Sequence, residues 1–161
     1  MDEGISLQTM ESCQDKIQPC IWLSADQGRL EGVLVYYKSV FGNDLQEGSI
    51  TSLGEGPSGY AELCEVLIFG QRYTLMCTEK EHHSLNDAFS MIIHCDDQKE
   101  IDHFWDYFTR EGMESQCGWC IDKYGLRWQV VPKNLGELMS RPNSFQVMMN
   151  QTRIIIAEYL R

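Results

Sequence analysis

The chain has 161 residues, 43% of them hydrophobic and 11% aromatic, which is enough apolar side chain for a core and too much for a disordered tail. Its 13 Lys and Arg against 24 Asp and Glu give a net charge of -11, which repels phosphate backbones and argues against nucleic-acid and anionic-membrane partners. No apolar run approaches the roughly 20 residues of a bilayer span, and no basic segment precedes an apolar one at the N-terminus, so the expectation is a cytoplasmic protein.

In chain order, residues 1–15 are polar and aperiodic and read as a flexible leader. Residues 17–23 alternate like a strand, with Pro19 suiting an edge or a strand start. Residues 30–41 place Leu30, Val33, Leu34, Tyr37 and Phe41 at a helical period, and Gly42 ends the helix. The Gly-rich stretch 44–59 predicts one short strand at 49–53 and then a loop. Residues 61–69 and 72–77 form a hairpin around Gly70 and Gln71, and 79–85 is a polar connector in which His82 and His83 face solvent.

The pattern then restarts. A strand at 89–95 leads to a helix at 98–110, with Ile101, Phe104, Trp105 and Phe108 on one face and Gly112 closing it. Residues 117–121 and 126–131 predict a second hairpin around Lys123, Tyr124 and Gly125. The tail reads as a helix at 135–139, a turn at Arg141-Pro142-Asn143, a second helix carrying Phe145, Met148 and Met149, and a short apolar segment at 153–159.

These halves form an internal repeat. Gln18 and Ser90 begin comparable strands, and Gly70-Gln71-Arg72-Tyr73-Thr74 matches Gly125-Leu126-Arg127-Trp128-Gln129. Each half reads βαβββ: module one 16–78, module two 86–132, with a C-terminal extension at 133–161, all in a single domain. The expected fold is α+β, a curved half-open barrel made by pairing the two sheets, whose concave interior suits a small molecule.

Seven cysteines, an odd number scattered through apolar segments, read as reduced thiols. Cys117 and Cys120 form a CxxC, but no second CxxC or His pair accompanies it, and it runs into a turn and strand rather than opening a helix. Its two sulfurs are therefore expected to diverge.

Paired βαβββ modules resemble the vicinal oxygen chelate superfamily, the glyoxalase, bleomycin-resistance and dihydroxybiphenyl dioxygenase group. The segment from Ser115 to Pro132, with Cys117-Gly118-Trp119-Cys120 and Arg127-Trp128-Gln129, is similar to the signature of its PhnB-like branch, often labelled demethylubiquinone methyltransferase. Glu100-Ile101-Asp102-His103-Phe104-Trp105 and the first strand fit the same branch, and the resemblance spans about residues 16–160. It implies metal-ligand positions on the first and last strands of each module. Here those positions hold Gln18, Thr74, Ser90 and Gln129, two amides and two hydroxyls, so the expectation is no metal and no cofactor. Methyl transfer is not expected either: Gly54-Glu55-Gly56-Pro57 leads into a strand, not into the helix that a dinucleotide-type fold requires.

With these positions inward, alternation adds Cys20, Trp22, His94 and Arg127, and either Trp119 or the Cys120 side of its strand; Trp128 then points into the core. Such a set suits a neutral or planar ligand, with Arg127 available to an anion. Three alternatives stay open. The tryptophans could fill the cup as core, an atypical metal site could serve a glyoxalase-like lyase, isomerase or dioxygenase, or His94 with Cys117 or Cys120 could do metal-free chemistry. A homodimer is expected, with Ile154-Ile155-Ile156 at or near its interface.

Overall fold

The computed structural model describes residues 16–161, so the expected leader at 1–15, with Cys13, lies outside the described residues. The described chain is α+β, with two sheets, few helices and no closed barrel. It divides into two compact units, with the boundary between His82 and His83.

The first unit contains β1 (Cys20–Ser24), a 3-10 turn at Asp26–Gly28, α1 (Glu31–Phe41), β2 (Leu45–Glu47), β3 (Thr51–Gly56), β4 (Gly59–Ile68) and β5 (Gln71–Thr78). Its sheet runs β1-β5-β4-β2, with β3 also on β4. Only the β1–β5 pairing is parallel. The strand begins at Cys20 rather than at 17 because Pro19 has no N–H for a ladder, although its carbonyl still accepts from Thr74 N at 2.9 Å. The Gly-rich stretch forms two strands where one was expected, because β4 is ten residues long and offers an edge to both β2 and β3.

Alternation sorts this sheet into two faces. Ile21 and Leu23 of β1, Cys64 and Val66 of β4, and Leu75 and Cys77 of β5 are buried. The buried stripe of α1, from Val33 to Phe41, belongs to this side. The buried carboxylate of Glu62 ties the helix start to it, accepting from Leu30 N at 2.8 Å. The other face carries Cys20 and Trp22 and is open.

The second unit repeats the plan with β6 (Ser90–Cys95), α2 (Gln98–Arg110), β7 (Met113–Glu114), β8 (Trp119–Ile121) and β9 (Arg127–Pro132). Its sheet runs β6-β9-β8-β7, again parallel only between first and last strands. A carboxylate caps α2: Asp97 Oδ1 accepts from Glu100 N at 2.9 Å, and Glu100 reaches back to Asp96 N. The core forms where α2 meets the sheet, with Phe108 stacked on Trp128 at 4.5 Å and 11°. Trp128 is thus core, as its alternation with Gln129 predicts. Gly42 does cap α1, with φ 58. Gly112 acts differently: α2 already ends at Arg110, and a Cβ at Gly112 would lie 1.9 Å from the Ile121 carbonyl oxygen.

The tail folds as α3 (Leu135–Met139), α4 (Ser144–Met149) and a 3-10 turn at Ile156–Leu160. The sequence left the Ile154 run in need of a partner surface; Ile154 finds one in the same unit, while Ile155 and Ile156 stay partly exposed. Ile154 is fully buried with Leu138 and Tyr159. Gln98 of α2 holds the segment by bonding Ile154 O and Ile156 N at 3.0 and 2.9 Å.

Candidate functional site

The open face of the first sheet starts with Gln18, just ahead of β1. Its amide donates to Thr74 Oγ1 at 2.7 Å and to Glu65 Oε1 at 3.2 Å. Glu65 lies opposite Thr74 on the hairpin and also meets Arg72 Nη1 at 3.4 Å. Two residues along β1, Cys20 is exposed and paired with Thr74 across the ladder. Partial desolvation by its neighbours on the sheet still pushes its thiol up. Two further on, Trp22 donates its indole N–H to Thr78 Oγ1 at 2.8 Å.

The Trp22 ring also stacks on His82, centroid to centroid 5.1 Å and 9° from parallel. His82 is exposed, as the sequence placed it, and one face of its ring lies on the indole plane. Beside this pair is a cavity of about 300 Å³, bounded by Leu53, Ala61, Met76 and the β3–β4 hairpin from Gly54 to Gly59.

The second sheet repeats the arrangement. Gln129 Nε2 donates to Ser90 Oγ at 2.8 Å. The registers are equivalent, since Cys20 faces Thr74 just as Ile92 faces Gln129. Gln18 thus corresponds to Ser90, Trp22 to His94 and Thr74 to Gln129. Amide and hydroxyl have changed places between the units, but each unit keeps one hydrogen-bonded pair.

The other expected residues fall as follows. His94 and Ile92 are exposed on this same face. Trp119 lies opposite Gln129 and joins the open side, which resolves the alternative left by the sequence. Cys120 lies opposite Trp128, fully buried, and burial pushes its thiol up to about 12. Cys117 precedes β8 with φ 59, and its sulfur is 3.9 Å from that of Met149. The Arg127 guanidinium is engaged within its own unit by Asp87 and by the carbonyls of Leu85 and Gly125, at 2.7 to 2.8 Å.

Sequence reasoning missed Glu65, Leu53, Met76, Thr78 and the stacking role of His82. Met76 and Thr78 follow Thr74 at the strand period, so alternation could have found them. Glu65 needed the hairpin register. Nothing local marks Leu53 or His82.

Two units built as a strand, a helix and then antiparallel strands, the first with one strand more than the βαβββ of the second, each pair their first and last strands in parallel and define a vicinal oxygen chelate fold. The family model for 3-demethylubiquinone-9 3-methyltransferase matches residues 15–131, and the chain belongs to that family, the PhnB-like branch of the superfamily. Among solved structures it is similar to the PhnB protein from Bacillus cereus, at 23% identity and a TM-score of 0.58, covering 72% of this chain and 98% of that one. It also matches the fosfomycin resistance protein FosX from Listeria monocytogenes, solved with Mn(II) and sulfate, at 12% identity and a TM-score of 0.47, covering 80% and 90%. Glyoxalase I from Leishmania major matches at 14% and 0.48, covering 78% and 92%. No curated protein matches the chain. Among the described residues, no helix is long and apolar enough to cross a membrane.

Proposed function

We propose that this chain is a small-molecule-binding member of the PhnB-like branch, that its metal positions have been converted to uncharged pairs, and that it does not transfer methyl groups. The observation that carries the reading is the pair of internal hydrogen bonds, Gln18 to Thr74 at 2.7 Å and Gln129 to Ser90 at 2.8 Å. A divalent cation needs donors that outbid its water shell, and carboxylates or imidazoles do so where neutral amides and hydroxyls do not. Here each amide turns its N–H to the neighbouring hydroxyl, and no carboxylate or imidazole stands at any of the four positions. The nearby carboxylate of Glu65 has its charge countered by Arg72. Among the described residues, no group of three or more His, Cys, Asp and Glu is gathered to hold an ion.

The strand-to-helix connections support the second part of the proposal. A nucleotide-type cofactor favours a Gly-rich turn opening onto a helix N-terminus. The turn into α2 instead presents Asp96 and Asp97, and Asp97 already occupies the helix cap. Gly54 and Gly56 lie in β3, with a hairpin after them. Raised thiols speak against Cys20 and Cys120 as nucleophiles. The dimer expected from the sequence would draw on Ile155 and Ile156, which stay partly exposed beside the buried Ile154, and on exposed apolar side chains such as Phe145 and Met149.

Native mass spectrometry of the protein as purified tests the reading. The expected result is a dimer mass without metal, with or without an added organic mass. One divalent ion per chain would contradict it and move the protein among metal-dependent lyases, isomerases or dioxygenases.

A further inference from the structure

The first unit holds a feature that the metal positions do not explain. The cavity of about 300 Å³ is displaced along β1 from Gln18 and Thr74, towards Trp22 and Thr78. Its walls are Trp22, Leu53, Pro57, Ala61, Met76 and His82, with glycine backbone from the β3–β4 hairpin. No Asp, Glu, Lys or Arg side chain lines it. The volume is at the lower end of the roughly 300–1,000 Å³ of ligand pockets, which suits a small ring system.

The aromatic wall is fixed before any ligand arrives. Thr78 Oγ1 takes the indole N–H at 2.8 Å and itself donates to Lys80 O at 2.9 Å, so the hydroxyl is spent on holding Trp22. His82 stacks on the same indole. A flat ligand therefore meets rings already oriented, and less ordering entropy is lost on binding. Charge narrows the class further. Glu55, Glu79 and Glu81, all exposed, flank the lining residues in sequence, against a single Lys80. An anion would approach an acidic surface and find no Lys or Arg in the walls.

We infer that this pocket is the ligand site of the protein and that it takes a neutral, flat, apolar ring compound. The inference rests on the small-molecule reading above and adds the place and the chemistry. Trp22 and the β3–β4 hairpin define the site, while the Gln18 and Thr74 pair lies beside it.

The test is a fluorescence titration with N-phenyl-1-naphthylamine, a neutral probe, and with 8-anilino-1-naphthalenesulfonate, its anionic relative. The neutral probe is expected to bind saturably and the sulfonate at least about tenfold more weakly. Leu53 is 51% exposed on an edge strand, so Leu53→Asp should fold, which an unchanged thermal midpoint verifies. That variant is expected to weaken the neutral probe at least about tenfold, by placing a carboxylate in an apolar wall. Leu53→Ala, which removes contact without adding charge, should weaken it less. Glu137→Gln, exposed in the tail of the other unit, should leave it unchanged.

No saturable binding of the neutral probe, equal binding of the sulfonate, or binding indifferent to Leu53→Asp would each overturn the inference. These failures are distinct from failure of the metal-free reading. A chain that carries metal yet binds the probe in a Leu53-dependent way keeps the pocket and loses that reading. A metal-free chain that binds an organic mass but not the probe does the reverse.

Discussion

Asp122 shows how much one side chain settles in this protein. It is 2% exposed, and its carboxylate accepts from Tyr124 N, Leu126 N and the Trp128 indole N–H at 2.8 to 3.1 Å. One residue therefore closes the β8–β9 turn and orients the aromatic that stacks on α2. Asp122→Ala would leave a buried indole donor and two turn amides without that acceptor. The expected loss is about 3 kcal/mol in denaturant unfolding, with a change in the near-UV signal of Trp128. A loss below about 1 kcal/mol would mean that water or another group replaces the carboxylate. At this scale the sequence was most informative where residue type alone carried the argument. That Gln18, Thr74, Ser90 and Gln129 are uncharged needs no coordinates. That they pair off within each unit does, because a hydrogen bond between residues 56 or 39 positions apart is invisible in a string. Arg127 makes the complementary point. Its charge suggested an anion contact, but the loop before β6 supplies a carboxylate and a carbonyl that no local pattern announces.

At the scale of elements, turn chemistry decided how far the reading could go. The Lys123-Tyr124-Gly125 turn was centred correctly from sequence, and the observed pairing of Trp119 with Gln129 follows from it. In the first hairpin the turn residues are Phe69 and Gly70, at φ 49 and 76, so Ile68 pairs with Gln71. A turn centred one residue later slides every pair by two positions, which keeps the faces but misplaces Glu65 relative to Thr74. The phenylalanine hid the turn, since a non-glycine residue at positive φ is uncommon there. The Gly-rich stretch failed for a related reason. Glycine weakens the strand signal, and only the length of β4 reveals that one edge can pair two strands in succession.

The second sheet also makes a prediction about pH. Cys95 and Cys120 face its core, and burial, reinforced by nearby carboxylates, raises both thiols from 9.0 to about 12. The unfolded thiols ionise first, so stability is full below about pH 9 and falls as pH rises towards the folded values. Urea midpoints should therefore drop between about pH 9 and 11, and Cys95→Ala with Cys120→Ala should flatten that drop while lowering stability at neutral pH. An equally steep alkaline loss in the double variant would assign it to other groups, such as Cys64, Cys77 or Tyr73, whose values burial also raises.

At the scale of the whole molecule, the internal repeat is the organising fact. Each unit pairs its first strand in parallel with its last and places one amide–hydroxyl pair at the equivalent register. The repeat was legible because a few positions, glycine, arginine, aromatic and polar, hold their spacing in both halves. The pocket beside Trp22 was not, because it is made from a hairpin that only the first unit has and a histidine from the connector. Divergence between the units is thus concentrated where the ligand site is proposed.

The proposed function requires that Gln18, Thr74, Ser90 and Gln129 hold no metal. Isothermal titration of Mn(II), Zn(II), Ni(II) and Fe(II) into the full chain tests it directly. The prediction is no saturable heat at one ion per chain for any of the four, and no shift in thermal midpoint when they are present in excess. A stoichiometric site that weakens in Gln18→Ala or Gln129→Ala would contradict the account and return those two amides to the role of ligands.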